Sequence, residues 1–455
     1  MLNVGLNTRR QESGDRRRIH LMDIMKLISR IYCWVLLIVL SSCSVKKNIQ
    51  TTTFTPTITP TIKVNPYNAE ILINDSALAT AHMGIALYDA DNNSYLYQYQ
   101  SNKYFIPASN TKIMTCYAAM KYLGDSLEGL KYSYNNFGGI SFTGTGDPTF
   151  LHPSFKNQRV YNFLKDGGNT QYILDNKRVQ FKPFGKGWTN DDYYEDYMNE
   201  LSEFPIYGND RNFYSQLDTS IVFKYSTPAI KNVYAGSVGL RTSAIDTTLK
   251  TNAQLPYFLK LLKDTLQNNT FNFSSVSSHN FTSTIHSQPT DSVLQYMMYN
   301  SDNFFAEQLL LMVSNKQLGV MNDTRMFDTL LAADFNLFPQ KPKWADACGL
   351  SRYNLFTPED IVYVLGKIKT SFKEERINAI FPAGNQGTLK GYYINNSQLI
   401  HAKTGSMSGV FCISGYITTS HNKHLIFSVM VNNHQVKGEN LRRKIEGYLM
   451  KIMED

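Results

Sequence analysis

The chain is short of cysteine, glycine and charge. Five cysteines and 27 glycines in 455 residues exclude a disulfide scaffold and a collagen-like repeat. Charged residues make up only 18%, below the roughly 25% of an ordinary soluble protein, which argues against disorder or a coiled coil. No CxxC pair, HExxH, GxSxG elbow or phosphate loop occurs, so zinc, hydrolase-elbow and nucleotide chemistries have no motif to rest on. No internal repeat and no membrane-length apolar run occurs either. What is present is 42% hydrophobic sequence, enough for a sizeable core, and a formal charge of +8.

Half of that charge lies in residues 1–43, which contribute +4. Residues 31–40 (IYCWVLLIVL) form an apolar run that fits a signal-peptide h-region of roughly 7–15 residues and is too short for a spanning helix of about 20. Lys26 and Arg30 precede it, and Leu40-Ser41-Ser42-Cys43 follows. The latter resembles the lipobox of bacterial lipoproteins, which implies cleavage before Cys43, lipidation of its thiol and a membrane anchor. Residues 1–21 do not fit a signal, which makes Met22 or Met25 the candidate start. Ser44 after the lipidated cysteine fits outer-membrane sorting, with the protein facing the periplasm. The remaining +4 is spread over 413 residues with no basic block among aromatics, so no nucleic-acid partner is expected. Cys116, Cys348 and Cys412 read as small buried residues, although one pair among them has the option of oxidising.

Residues 44–66 are Thr/Pro-rich and read as a tether. Strand-like runs at 84–88 and 95–99 flank Asp91-Asn92-Asn93, predicting a β-hairpin. A helix follows Pro107 to about Leu123. Residues 125–285, rich in Tyr, Asn, Phe, Gly and Thr, read as a mostly β insertion that includes Ile221-Val222-Phe223. A strong helix is predicted over 292–314. Strands follow near 400–404, 410–417 and 425–431, the last an unbroken apolar run that suits a central strand. An amphipathic helix over about 438–453 closes the chain.

Three short motifs carry chemistry. Ser109-Asn110-Thr111-Lys112 is an SxxK opening a helix, Ser301-Asp302-Asn303 an SxN beside one, and Lys403-Thr404-Gly405 a KTG on a strand. SxxK and SxN recur elsewhere in the chain, but KTG occurs once, and order and context give the set its meaning. On a helix, residues i and i+3 share a face, placing Lys112 beside Ser109. A serine needs a base to become a nucleophile, and lysine is a base only when neutral. Lys403 offers the neighbouring positive charge that favours this, and Ser301 a proton relay. The helix start at Ser109 offers N–H groups to an oxyanion, with Ser406 N–H as second donor. Lys403 and Thr404 suit a substrate carboxylate and Asn303 a substrate amide, with Gly405 and Ser406 also read as substrate-binding. His421 and His424, spaced HxxH, sit in an Asn/Lys-rich hairpin and read as a turn, so no metal or other cofactor is expected.

This set resembles the active site of penicillin-binding proteins and class A β-lactamases. Longer stretches are similar to one family, the low-molecular-mass D-alanyl-D-alanine carboxypeptidase/endopeptidases of the penicillin-binding protein 4 type (peptidase family S13). They are residues 103–112 (KYFIPASNTK), 144–149 (GTGDPT), 300–309 (NSDNFFAEQL), 349–354 (GLSRYN), 387–389 (GTL) and 401–406 (HAKTGS). The resemblance implies an α/β (α+β) β-lactamase/transpeptidase-like fold: an antiparallel sheet flanked by helices, a helical subdomain and a β-rich insertion. The catalytic domain would comprise 67–124 and 286–455. The implied activity is a serine DD-peptidase acting on peptidoglycan stem peptides, with β-lactams as covalent inhibitors. A β-lactamase or esterase of the same fold, or a penicillin-binding sensor without turnover, are the alternatives. Asp346-Ala347-Cys348 departs from the family's usual Asp-Gly-Ser. Asp191 or Asp192 within 187–193 either meets the amine of a peptidoglycan side chain or forms a solvated turn.

Overall fold

The computed structural model describes residues 65, 67–134, 138–175, 177–209, 262–263, 265–266, 271–276 and 279–455. The signal segment with Cys43, all of the tether except Asn65, and Ile221-Val222-Phe223 lie outside the described residues.

The apolar run expected at the sheet centre is β10 (His424–Asn432), buried along almost its whole length. It lies between β1 (His82–Asp89) and β9 (Val410–Thr418), and β2 (Ser94–Tyr99) and β8 (Ile400–Met407) complete the order β2-β1-β10-β9-β8. Every pairing in this sheet is antiparallel. Side chains alternate across a strand, so β10 serves two cores. Leu425, Phe427, Val429 and Val431 pack with Leu441, Ile445, Tyr448, Leu449 and Ile452. These last five form the apolar stripe of the C-terminal helix (Gly438–Met453), spaced three and four residues apart.

Ile426 and Met430 face the other way, into a helical layer. That layer comprises α1 (Lys112–Tyr122), α3 (Thr290–Asn300), α4 (Asn303–Leu318), α5 (Asp323–Ala332), α6 (Pro358–Ser371) and α7 (Glu374–Ile380). α2 (Arg159–Asp166) belongs to a second region, and the C-terminal helix is α8. α6 starts on a reciprocal cap between Thr357 and Asp360, with proline in its first turn.

The single helix expected over 292–314 is two. Ser301 adopts a left-handed conformation (φ 55°) and ends α3, and the Asp302 carboxylate then accepts the Phe305 N–H to start α4. The break takes Ser301 out of the helix repeat.

The second sheet holds β3 (Ser126–Tyr134), β4 (Ile140–Gly144), β5 (Thr170–Asp175), β6 (Phe271–Val276) and β7 (Ser283–Pro289) in the order β6-β5-β4-β3-β7. It is mixed: β3 pairs antiparallel with β4 and β7, while β4, β5 and β6 run parallel. A buried cluster locks residue 203 onto it. Glu203 receives Arg178, the Thr143 hydroxyl (2.6 Å) and the Tyr172 hydroxyl (2.8 Å). Among the described residues, no helix is long and apolar enough to cross a membrane. Cys116, Cys348 and Cys412 are all free and buried.

Candidate active site

Ser109 sits in a short 3-10 turn (Ala108–Thr111) that leads directly into α1. The turn is anchored to the sheet, since Asn110 Nδ2 donates to Ser414 Oγ at 2.7 Å and Ser414 Oγ donates to Ser428 Oγ at 2.9 Å. It is also crowded by two glycines. A Cβ on Gly405 would lie 2.7 Å from the Ser109 nitrogen and 2.7 Å from the Pro107 oxygen. Glycine in the KTG motif therefore lets β8 approach the serine turn and leaves the face of the Ser109 N–H open. A Cβ on Gly349 (φ 90°) would lie 1.8 Å from the Ala108 oxygen. Both contacts are backbone against backbone, so Gly349→Ala should cost about 3 kcal/mol or more and slow any reaction at Ser109. Denaturant unfolding checks this, and a change below about 1 kcal/mol would show that the turn gives way freely.

Two lysines, both 0% exposed, meet the serines of different motifs. Lys112 Nζ donates to Ser109 Oγ (3.0 Å), to Asn303 Oδ1 (2.6 Å) and to the Cys348 carbonyl (2.8 Å). Lys403 Nζ donates to Ser301 Oγ (2.8 Å) and to the Thr404 carbonyl (2.7 Å). Burial lowers the Lys112 pKa from the ordinary lysine value, against the opposing pull of Asp346, Asp302 and Glu307. Burial pushes Lys403 well below that value, and the charge of Lys112 adds to the effect. Two ammonium groups buried this close do not coexist readily, so the site favours one neutral amine.

Asn303, expected to meet a substrate amide, has both ends of its side chain engaged within the site: Oδ1 accepts from Lys112, and Nδ2 donates to the Tyr197 carbonyl at 3.0 Å. Thr404 and Gly405 are buried on β8, and Ser406 is exposed near its end, across from Phe411. Asp191 and Asp192 lie on a 3-10 turn (Asn190–Tyr194) capped by Thr189. The neighbouring Trp188 Nε1 donates to Asp346 Oδ2 at 2.9 Å, tying this region to the turn behind Lys112.

That turn, residues 346–351, contains Asp346-Ala347-Cys348, noted in the sequence as a departure from the family pattern, and its bonds show what it does. Asp346 Oδ1 accepts from Gly349 N (2.8 Å) and Asn354 Nδ2 (2.6 Å), while Asp346 Oδ2 accepts from Ser351 N and Trp188. Glu307 Oε1 accepts from Ala347 N and Cys348 N, each at 2.9 Å. Burial, with Asp346 nearby, raises Glu307 well above the ordinary carboxyl value, and burial likewise raises the Cys348 thiol. Glu307, Asp346 and Cys348 bring potential ligand atoms within 4.8 Å of one another, but these carboxyl oxygens are already committed to N–H donors. Two sequence signals mark Glu307: it is an acid in the middle of the apolar run FFAEQLLLMV, and it lies within the family-like stretch 300–309.

The sequence matches the D-Ala-D-Ala carboxypeptidase 3 (S13) family over residues 67–232 and 215–452. The chain belongs to that family. It is 29% identical over 163 residues to penicillin-sensitive carboxypeptidase A of Dictyostelium discoideum, a stretch covering 31% of this chain and 30% of that protein. It is 28% identical over 160 residues to D-alanyl-D-alanine carboxypeptidase DacB of Haemophilus influenzae, covering 32% and 33% respectively. The chain thus aligns with about a third of the length of these two curated relatives. The crystal structure of penicillin-binding protein 4 (dacB) from H. influenzae superposes with a TM-score of 0.65 at 18% identity, covering 85% of this chain and 100% of that one. The S13 member described here therefore has the β-lactamase/transpeptidase-like fold, of mixed α/β class.

Proposed function

We propose that this S13 protein is a penicillin-sensitive serine D-Ala-D-Ala carboxypeptidase/endopeptidase acting on peptidoglycan stem peptides. The observation that carries the reading is the convergence of two fully buried lysines on Ser109 and Ser301. Ser109 Oγ attacks the carbonyl of the penultimate D-Ala, and its proton passes to neutral Lys112. The oxyanion is met by the N–H groups of Ser109 and Ser406. Collapse expels the terminal amine, which takes its proton through Ser301, and water then hydrolyses the acyl-enzyme. Free D-Ala leaves in carboxypeptidation, and a cross-linking amine leaves in endopeptidation. Lys403 and Thr404 hold the substrate carboxylate, and Gly405 lets β8 lie close to the serine turn. Asn303 holds Lys112 first, and presents its remaining surface to the peptide.

In this reading residues 67–124 and 286–455 form the catalytic domain, 125–285 the inserted β-rich region and 44–66 a tether. The tether leads to a lipid on Cys43, after a signal segment over 1–43. The enzyme is a lipoprotein that faces the periplasm, with outer-membrane sorting favoured by Ser44.

Mass spectrometry of cross-linked and uncross-linked muropeptides after digestion tests the activity. Loss of a terminal D-Ala or of a cross-link is expected. Folded protein that takes up penicillin yet changes neither substrate would overturn the peptidase reading in favour of a sensor, and rapid nitrocefin turnover would favour a β-lactamase.

A further inference from the structure

Lys112 has an acceptor that neither SxxK nor SxN supplies, the main-chain oxygen of Cys348. A lysine ammonium carries three N–H donors, and in a fully buried site each needs an acceptor. Ser109, Asn303 and Cys348 provide the three. The first two are side chains of the motifs. The third is a peptide carbonyl, and its direction depends on what holds the 346–349 turn.

Glu307 holds it. It stands four residues after Asn303 on α4, on the same helix face. Its Oε1 accepts the N–H groups of Ala347 and Cys348, two consecutive amides of the turn, at 2.9 Å each. From the other side Thr115 Oγ1, one turn along α1 from Lys112, donates to the Ala347 carbonyl at 2.7 Å. Glu307 and Thr115 thus fix the two peptides that lead into Cys348, and Asp346 Oδ1, accepting the Gly349 N–H at 2.8 Å, holds the next peptide, whose oxygen lies on Lys112.

We propose that Glu307 is a positioning residue for Lys112, fixing through two backbone amides the turn that carries the Cys348 carbonyl to its Nζ. α4 would then govern the lysine at two points, directly through Asn303 and, one helical turn later, through Glu307. The inference rests on the reading of Lys112 as general base toward Ser109. It assigns Glu307 the work of an acceptor oxygen, not of a charge. A carboxamide oxygen performs the same work, whereas a leucine of similar volume has no acceptor and leaves two buried N–H groups unpaired.

The test is the second-order rate of acylation by a fluorescent penicillin, measured across pH for the wild type, Glu307→Gln and Glu307→Leu, with thermal unfolding alongside. The Gln variant should stay within about threefold of wild type, and the Leu variant should fall about 100-fold, the scale of a misplaced catalytic group. The rise of rate with pH should also move to lower pH in Leu, because an ammonium deprived of one acceptor gives up its proton more readily. The ionisable groups facing Lys112 are Asp302 and Glu307 from α4, Asp346 and Cys348 from the turn, and Lys403 from β8. Of these only Glu307 changes between the variants.

A Gln variant as slow as Leu overturns the proposal, as does a Leu variant as fast as wild type. Should Leu not fold, Gln decides alone: within threefold supports the acceptor role, and a loss beyond tenfold refutes it. A wild type that takes up no penicillin refutes the serine-hydrolase reading itself, and with it any role for Glu307 in acylation. A labelled wild type with unaffected variants refutes the Glu307 inference only.

Discussion

Ser109→Ala should abolish covalent uptake of labelled penicillin, lowering the acylation rate by about 10⁴-fold or more, as removal of a catalytic nucleophile does. The fold should survive, because Ser109 Oγ contributes one of three acceptors to Lys112, and the remaining two come from Asn303 and Cys348. The serine turn is held independently by Asn110 on Ser414. Ser301, at the break between α3 and α4 with its hydroxyl on Lys403, is the other serine of the site, and the test distinguishes it from Ser109. Gel fluorescence after incubation with a fluorescent penicillin, with the intact mass of the protein as second readout, checks the outcome. A Ser109→Ala protein that still gains the mass of a penicilloyl group would remove Ser109 from the mechanism, and the labelled peptide would show which residue replaces it.

Elements defined by local pattern were legible in the sequence. The run at 425–431 reads as a central strand because apolar residues occupy both faces, and β10 does carry two cores. The last helix reads from its three-and-four spacing, and α8 spans Gly438–Met453. The three motifs read because the chemistry needs specific residue types at fixed spacing. The helix break at Ser301 was missed, although Asn300-Ser301-Asp302-Asn303 are four poor helix formers and Asp302 caps the next helix, because the apolar pattern on both sides reads as one continuous helix. The parallel β4-β5-β6 arrangement was not legible either, because pairings across 30 residues (Ile140 with Thr170) and 101 residues (Thr170 with Phe271) leave no local signal. The turn behind Lys112 is the most instructive case. Its shape is written in bonds from Trp188 and Glu307 to residues 346–348, partners separated by 158 positions in one case and 40 in the other. Asp346-Ala347-Cys348 looked like a departure from a family pattern, yet the contact on Lys112 comes from the main chain, which tolerates a change of side chain.

Lys112→Arg should be nearly as damaging as Lys112→Met, each slowing acylation by about 10²–10⁴-fold, the range for loss of a general base. The pairing separates charge from basicity. Arginine keeps a positive group and hydrogen-bond donors but does not give up its proton in proteins, so it cannot receive the one leaving Ser109. If Lys112 served only as a fixed charge, arginine would preserve a large part of the rate. The pH dependence carries the same information with a definite sign. Burial places the Lys112 pKa below the ordinary lysine value, so the neutral base becomes populated as pH rises through that lowered pKa. Acylation by penicillin should rise with pH over that limb in the wild type and lose the limb in both variants. Removing the Lys112 charge also relieves one cause of the depressed Lys403 pKa, so Lys403 should hold its proton to higher pH in Lys112→Met. An arginine variant that acylates at a rate close to wild type would shift the base role to Lys403 acting through Ser301, the other serine–lysine contact in the site.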